Sequence, residues 1–421
     1  MAPNRPKVLV IGAGIGGLAL AAALRRAGIG AEIYERADRL RAAGTGLSVM
    51  SNAITALASA GIDLGLDRLG QAITSFVIKD AQGHDLARLP VPEAVRELGL
   101  PPSVAIGRTA LHQSLLEAMG DVPVTLGATA VGFETRPDGV TVHFADGTRA
   151  EGDVLVGADG FHSVIRRELA GPEEVREGGY VCWLATVPFS RPGLRPGYVG
   201  HYRGNGRRFG LLDIGHGRFY WWGAKNMPAE EANGWSGTKD DIAATYSGWA
   251  EEVQAVIRAT PEQDIVAVPA HDRAFLERWG EGRVTLLGDA AHPMLASVGQ
   301  GAGMAIEDAV VLAGTLARST DLTAGLRSYE DQRRARTRMA VAAARARSDG
   351  EQAEGPEQRR EMAEELRRTP LADFARSQKD ILTFPGVALP GLTVPGIRTR
   401  RNPRTDALCG SAGTGGPKAG E

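Results

Sequence analysis

Hydrophobic residues along this chain fall in short runs that end in glycine. Lys7-Val-Leu-Val-Ile11 has the β-branched character of a strand buried on both faces. It runs into Gly12-Ala-Gly-Ile-Gly-Gly17, after which residues 18–27 predict an alanine- and leucine-rich helix closed by Gly28. Ala31-Glu-Ile-Tyr-Glu35 predicts the next strand. The pattern recurs twice. Asp153-Val-Leu-Val leads into Gly157-Ala-Asp-Gly160, and Arg283-Val-Thr-Leu-Leu leads into Gly288-Asp289. Past Gly299-Gln-Gly-Ala-Gly303, a helix is predicted over about residues 304–316.

The intervening stretches read differently. Residues 122–150, with Asp-Gly turns at Asp138-Gly139 and Asp146-Gly147, predict strands joined by tight turns. Alternating, aromatic-bearing strands are predicted at 180–187, 198–202, 208–213 and 217–223. Residues 321 to about 368 predict an Arg/Glu-rich helical stretch broken at Pro356, its charges read as a solvated face. Proline and glycine dominate from Pro385, and residues 398–421 read as a disordered tail.

The first glycine cluster has a chemical rationale. Gly12 permits the tight turn, Gly14 lets a pyrophosphate approach the backbone, and Gly17 lets helix and strand pack closely. The helix N-terminus aims unpaired N–H groups at the phosphates. Glu35 ends the second strand, where a carboxylate accepts from ribose hydroxyls. This motif predicts a bound dinucleotide and does not separate FAD from NAD(P). Gly299, Gly301 and Gly303 likewise let N–H groups crowd a ligand at a helix start.

Composition narrows the class. The 421 residues carry 48 Lys+Arg against 50 Asp+Glu, a net charge of -2, so no global field attracts nucleic acid or an anionic membrane. Two cysteines, Cys182 and Cys409, make neither a disulfide framework nor a cysteine-rich metal site; they predict a cytoplasmic protein without a metal. The uncharged run from Val8 to Leu24 imitates a signal peptide or a short membrane span, but its glycines have the better explanation above.

Taken together, the three clusters resemble the group A flavoprotein monooxygenases, the para-hydroxybenzoate hydroxylase-like family, over about residues 7–347. The order is the family's order: the glycine turn with Glu35-Arg36, then Asp159-Gly160, then Gly288-Asp289. Arg108, in Gly-Arg-Thr-Ala-Leu-His-Gln-Ser-Leu-Leu, matches the family's Arg-x-x-Leu-x-x-x-Leu segment. The wording from Gly299 to Asp308 is similar to the zeaxanthin epoxidase, urate hydroxylase and salicylate hydroxylase branches. One departure stands out: Gly303 occupies a place where many relatives carry asparagine.

The resemblance implies an α/β, two-domain fold. A discontinuous Rossmann-like FAD-binding domain would span 1–72, 101–178 and 271–347. An inserted antiparallel-sheet substrate domain would take 73–100 and 179–270, and a C-terminal helical segment 348–397. The resemblance further implies non-covalently bound FAD held by Gly12, Gly14, Ile15, Gly16, Gly17, Glu35, Arg36, the Arg41-Ala42 step, Gly46, Arg108, Asp159, Asp289, Gly299, Gln300, Gly301, Ala302, Gly303 and Met304. Within that set Glu35 would bind the adenosine ribose, Arg108 the pyrophosphate side and Asp289 the ribityl chain. The turn from Gly299 to Met304 would support the isoalloxazine, and Asp159 would serve both FAD and NAD(P)H. His292 and Pro293 would lie beside the flavin ring.

The activity implied is NAD(P)H- and O2-consuming monooxygenation. A flavin C4a-hydroperoxide would give one oxygen atom to an aromatic or unsaturated small molecule, including those of secondary metabolism, by hydroxylation or epoxidation. NAD(P)H would bind only transiently, because no second glycine fingerprint exists. Arg208 and Tyr220 fall where urate hydroxylase-like enzymes place a pocket Arg and Tyr, to hold a substrate anion or steer a base, and to hydrogen-bond a phenol or oxyanion. Alternate strand residues also simply pack; His201 and His216 read as structural or exposed, and Trp183, Trp221 and Trp222 as core or pocket wall. The expected partner is a hydrophobic aromatic or polyene molecule, with no nucleic acid and no stable membrane insertion. Two other readings remain at this point: an FAD-dependent reductase or dehydrogenase of isoprenoid-type substrates, and a non-catalytic flavin-binding redox protein. A flavin-dependent halogenase would carry Trp-x-Trp-x-Ile-Pro, which Trp221-Trp222-Gly-Ala-Lys-Asn does not match.

Overall fold

A computed structural model describes residues 6–40, 44–355, 364, 368–386 and 388–389. Lys7–Ile11 sits at the middle of a five-stranded parallel sheet, ordered Val284–Leu286, Val154–Gly157, Lys7–Ile11, Gly30–Tyr34, Val124–Thr125. Both faces of its central strand are covered, which is why an uninterrupted apolar run is tolerated: Val8, Leu9 and Val10 are fully buried. The first helix, Ile15–Ala27, starts at Gly14 and ends at Gly28 in the left-handed conformation. It packs against a second buried helix, Gly301–Arg318. An antiparallel meander of Ala130–Thr135, Val140–Phe144 and Arg149–Gly152 flanks the sheet. Because the strands are parallel, all three glycine turns emerge at their carboxyl ends, the edge where open α/β sheets bind ligands.

A second sheet of seven strands is ordered Val266–Asp272, Arg176–Pro188, Arg218–Asn226, Arg207–Asp213, Tyr198–Gly204, Ser75–Asp80, Asp85–Arg88. The expected antiparallel pairing holds except at one junction. Ser75–Asp80 runs parallel to Tyr198–Gly204, because the chain between them returns through the first sheet rather than by a hairpin. One face of this sheet makes a core of Val181, Trp183, Phe209 and Trp221 under Tyr246 and Trp249. A small antiparallel sheet of Gly46–Val49, Val104–Gly107 and Gln71–Ala72 links the two halves.

The fold is thus two-domain α/β, with a Rossmann-like FAD-binding region, an inserted sheet and C-terminal helices. Those helices are Leu322–Glu351, capped by Asp321, and Leu371–Leu382. The Pro356 break and the tail at 398–421 lie outside the described residues, as does Cys409. The expectation of a solvated charged face is corrected for part of the long helix. Glu330, Arg333 and Glu351 are buried, each with an opposite charge beside it. Among the described residues no helix is long and apolar enough to cross a membrane.

Candidate functional site

The glycine turn is shaped by contacts that admit no side chain. Gly12 has φ +107°, and a Cβ there would stand 2.5 Å from the Ala158 carbonyl oxygen. A Cβ on Gly17 would meet the Gly12 carbonyl oxygen at 2.0 Å. Gly14 is the opposite case: a Cβ would find nothing within 4 Å. The first turn of the helix after it holds no acid, and Gly14 offers no side-chain cap, so its N–H groups face open space. Glu35 closes the edge of this cradle. Its Oε2 accepts from Ala13 N at 2.8 Å and its Oε1 from Ala37 N at 2.9 Å. Arg36 is exposed beside it, and the Arg41-Ala42 step lies outside the described residues.

Asp159, on the second cluster, abuts the same turn. Its Oδ2 accepts from Val164 N at 2.7 Å, while its Oδ1 is buried without a hydrogen-bond partner among the described residues. Burial pushes this carboxyl up, against the pull of Ser163 and neighbouring N–H groups. An orphaned acceptor beside an open helix N-terminus is what a cradle for a polar ligand looks like before the ligand is counted.

Asp289 begins the third cluster. It is open to the cleft but walled in elsewhere; that enclosure raises its carboxyl, opposed by His292 and Arg108. Arg108 heads the helix Arg108–Met119, its backbone N donating to Thr45 O at 2.8 Å. Its charge acts on Asp289 and Tyr220 alike, so the three residues converge. Gly299 takes φ +64° with open space at its Cβ position, and a Cβ on Gly301 would meet only Asp289 Oδ1, at 4.0 Å. Gly301, Ala302 and Gly303 belong to the helix itself, three residues earlier than predicted.

The Gln300 side chain points away from this opening. It is fully buried in a reciprocal amide pair with Asn52: Asn52 Nδ2 donates to Gln300 Oε1 at 2.9 Å, and Gln300 Nε2 to Asn52 Oδ1 at 3.3 Å. This pair explains the departure at Gly303. A Cβ there would meet Gln300 Oε1 at 2.9 Å and Asn52 Nδ2 at 3.4 Å. Asn52 also donates to Glu307 Oε1 at 2.7 Å, joining a buried charge network. Arg333 bridges Glu307 and Asp308, at 2.6 Å each, and Arg336 donates to Glu307 at 2.6 and 2.7 Å. Met304, fully buried, contributes its carbonyl to Arg333.

His292 belongs to this network. Its Nε2 lies 2.6 Å from Asp308 Oδ2, which also accepts from Gly288 N at 3.0 Å. Burial would raise the Asp308 carboxyl, but His292 and Arg333 outweigh it and hold it at about 2. The imidazole is buried against Trp279, with the dyad serving as an anchor for the Gly288 turn. Pro293 is buried in the loop that follows. Arg166 secures that loop from the far side, donating to the Ala291 carbonyl at 2.8 Å and the Ala290 carbonyl at 3.1 Å while paired with Glu173. Asn52 is a support that motif reading does not select, since it acts on a turn distant in sequence.

The seven-stranded sheet turns its other face to this loop. Strand register sets Tyr220 and Leu212 in one row, Leu184, Trp222, Gly210 and His201 in the next, and Cys182, Ala224, Arg208 and Arg203 in the third. Tyr220 packs on Gly46, where a Cβ would sit 2.4 Å from the Tyr220 Cβ. Cys182, with Tyr180 and Ala224, meets Met294, Leu295 and Val298. Cys182, Leu184 and Trp222 are only half-buried although they face inward, which outlines a cleft between sheet and loop. Trp222 lies flat over Gly210, where a Cβ would stand 2.1 Å from the indole.

Three groups of the cleft wall hold one charge state near neutral pH. His201 is wedged between Phe76 and Trp222, and burial drives its pKa down to about 3, so it stays neutral. Burial pushes the Cys182 thiol up to about 11 and the Tyr220 phenol well above its ordinary value. Arg208 is buried. Its Nη1 is paired with Glu351, its Nη2 donates to Tyr180 Oη at 3.2 Å, and its Nε is enclosed with no partner among the described residues. His216 is exposed on a hairpin, in contact with the Arg68 carbonyl.

Residues 5–344 match the family described as FAD binding domain. The chain is 40% identical over 323 residues to the aurachin C monooxygenase/isomerase of Stigmatella aurantiaca, covering 77% of this chain and 84% of that one. It is 36% identical over 335 residues to the 3-amino-4-hydroxybenzoate 2-monooxygenase of Streptomyces cremeus, covering 79% and 84%. Among solved structures, HpxO of Klebsiella pneumoniae complexed with FAD and uric acid superposes with a TM-score of 0.84 at 31% identity, covering 91% of this chain and 98% of that one.

Proposed function

The chain belongs to the group A FAD-binding monooxygenases, and from that premise we propose that it spends a reduced nicotinamide and O2 to place one oxygen atom on an aromatic or unsaturated small molecule. When bound, FAD supplies hydride acceptance and O2 activation. The residues present fit it. Gly14 and the helix start behind it offer N–H groups to a pyrophosphate, Glu35 stands where ribose hydroxyls would fall, and the orphaned Asp159 Oδ1 awaits a donor. Asp289 and Arg108 offer a hydrogen-bond acceptor and a cation beside the third glycine cluster, with Gly299 and Gly301 leaving room along the helix start.

One observation carries the reading: the aromatic inner face of the second sheet closes on the loop that follows Asp289. A molecule in that gap would lie between the cofactor loop and Tyr220, Leu184 and Trp222. These residues exclude water, which protects a reactive oxygen species from wasteful breakdown. The raised Tyr220 phenol keeps its proton at neutral pH, so its hydroxyl serves as a hydrogen-bond donor to a substrate oxygen and not as a base. Pro293 has no polar side-chain atom and shapes the loop. With His201 neutral and Arg208 occupied, the wall offers little beyond Tyr220 for proton handling.

The test is substrate-stimulated NAD(P)H oxidation against a panel of phenols, fused aromatics and polyenes under isotopically labelled O2. Label in the product supports monooxygenation. Product without label would favour a dehydrogenase, and the absence of any stimulated oxidation would favour a non-catalytic flavoprotein.

A further inference from the structure

The helix Gly301–Arg318 starts without a cap of its own. Gln300 stands at its N-cap position but makes no side-chain bond to it, and no acid lies in its first turn. The first intrahelical bond runs from Met304 N to Gln300 O at 2.7 Å. The N–H groups of Gly301, Ala302 and Gly303 precede it and find no acceptor among the described residues. The Gln300 side chain is held away from them by Asn52, which is fully buried on the helix Ser51–Ser59. Asn52 Nδ2 directs one hydrogen to Gln300 Oε1 at 2.9 Å and the other to Glu307 Oε1 at 2.7 Å, while Asn52 Oδ1 accepts from Gln300 Nε2 at 3.3 Å. Glu307 dictates this orientation. It takes guanidinium hydrogens from Arg333 and Arg336 on its two oxygens, so toward Asn52 it can only accept. That fixes which way the Asn52 amide faces, and the Asn52 amide in turn fixes Gln300.

A side-chain acceptor next to unpaired helix N–H groups ordinarily bonds to them. Here that acceptor is withdrawn. We propose that Asn52 is a positioning residue for the cofactor: by holding the Gln300 amide off the helix start, it keeps the N–H groups of Gly301, Ala302 and Gly303 free for electronegative atoms of FAD. The inference rests on the reading above that FAD seats along this helix start. Asn52 acts through Gln300. Without Asn52, the buried Gln300 amide loses its partner, and a buried polar group left unpaired is costly. Its carbonyl then competes with FAD for the same N–H groups.

FAD is titrated into the cofactor-stripped full chain, with quenching of flavin fluorescence as the signal and far-UV circular dichroism to show that each variant is folded. Asn52→Leu removes both donors at similar size, and FAD binds about five- to tenfold more weakly. Adding Gln300→Ala to that variant removes the competing carbonyl, and affinity returns to within about threefold of wild type. A merely structural role gives the reverse, because the double variant has lost more packing than the single and binds no better. If Asn52→Leu does not fold, Gly303→Ala carries the same comparison. Its methyl would stand 2.9 Å from Gln300 Oε1 and 3.4 Å from Asn52 Nδ2, so it parts the amide pair without stranding a charge. Unchanged affinity in the single variant, or a double variant as weak as the single, overturns the role of Asn52 and leaves the FAD reading standing. A wild type that takes up no FAD overturns that reading and this inference together.

Discussion

Gly14→Ala separates a ligand cradle from a merely structural turn. In the protein alone the added methyl meets nothing within 4 Å, and the backbone φ of -75° suits any residue. The only internal cost is replacing glycine by alanine at a helix N-cap, roughly 0.5–1 kcal/mol. The cofactor-free protein therefore unfolds within about 1 kcal/mol of wild type in urea. With a pyrophosphate seated on the helix N-terminus, the same methyl stands where the phosphate must approach. Overpacking of this kind costs about 1–3 kcal/mol, so FAD affinity falls by roughly five- to 150-fold. Gly17→Ala is the contrast. Its Cβ at 2.0 Å from a backbone oxygen destabilises the cofactor-free protein itself. Flavin fluorescence quenching measures the affinities. An unchanged FAD affinity for Gly14→Ala, beside unchanged stability, refutes the cradle.

Other expectations follow from the same contacts. Tyr220→Phe leaves stability within about 0.5 kcal/mol, because the hydroxyl takes no hydrogen bond from the described residues, yet it weakens binding of an oxygen-bearing substrate by about 0.5–1.5 kcal/mol in a spectral titration. Arg333→Met removes the cation that the buried Glu307 and Asp308 share, leaving each with one remaining side-chain partner of opposite sign, Arg336 and His292; it costs about 3–5 kcal/mol, read from urea unfolding, and a loss below 1 kcal/mol would show the network to be dispensable. Acid should unfold the protein for a definable reason. Asp308 and Glu351 fall from 3.8 and 4.5 to about 2 on folding, so their stabilisation is present above the unfolded values and is lost as pH falls through the folded ones. Stability measured from pH 5 to pH 2 therefore declines, and less steeply in Glu351→Gln. Asp159 and Asp289, whose carboxyls are raised, act in the opposite direction.

What was legible in the sequence is what is local. Lys7–Ile11, the glycine turn and the helix that follows are fixed by neighbours within a few residues, as are the four aromatic strands of the second sheet. The first motif was legible because Gly12 and Gly17 answer to backbone crowding at the turn, which their spacing in the sequence records. Partnerships across long separations were not legible. Gly303 looked like a departure, and only its packing against Asn52, 251 positions away in the chain, explains it. Arg208 looked like a free pocket cation until Glu351 arrived on a helix whose charges pattern as solvated. The parallel pairing of Ser75–Asp80 depends on the chain's route between two sheets, which no hydrophobic period encodes.

The most direct test of the account is the visible absorption spectrum of the purified protein, with identification of the chromophore released on denaturation. The account predicts a yellow protein carrying one non-covalent FAD per chain. A colourless protein that also fails to take up added FAD would contradict it.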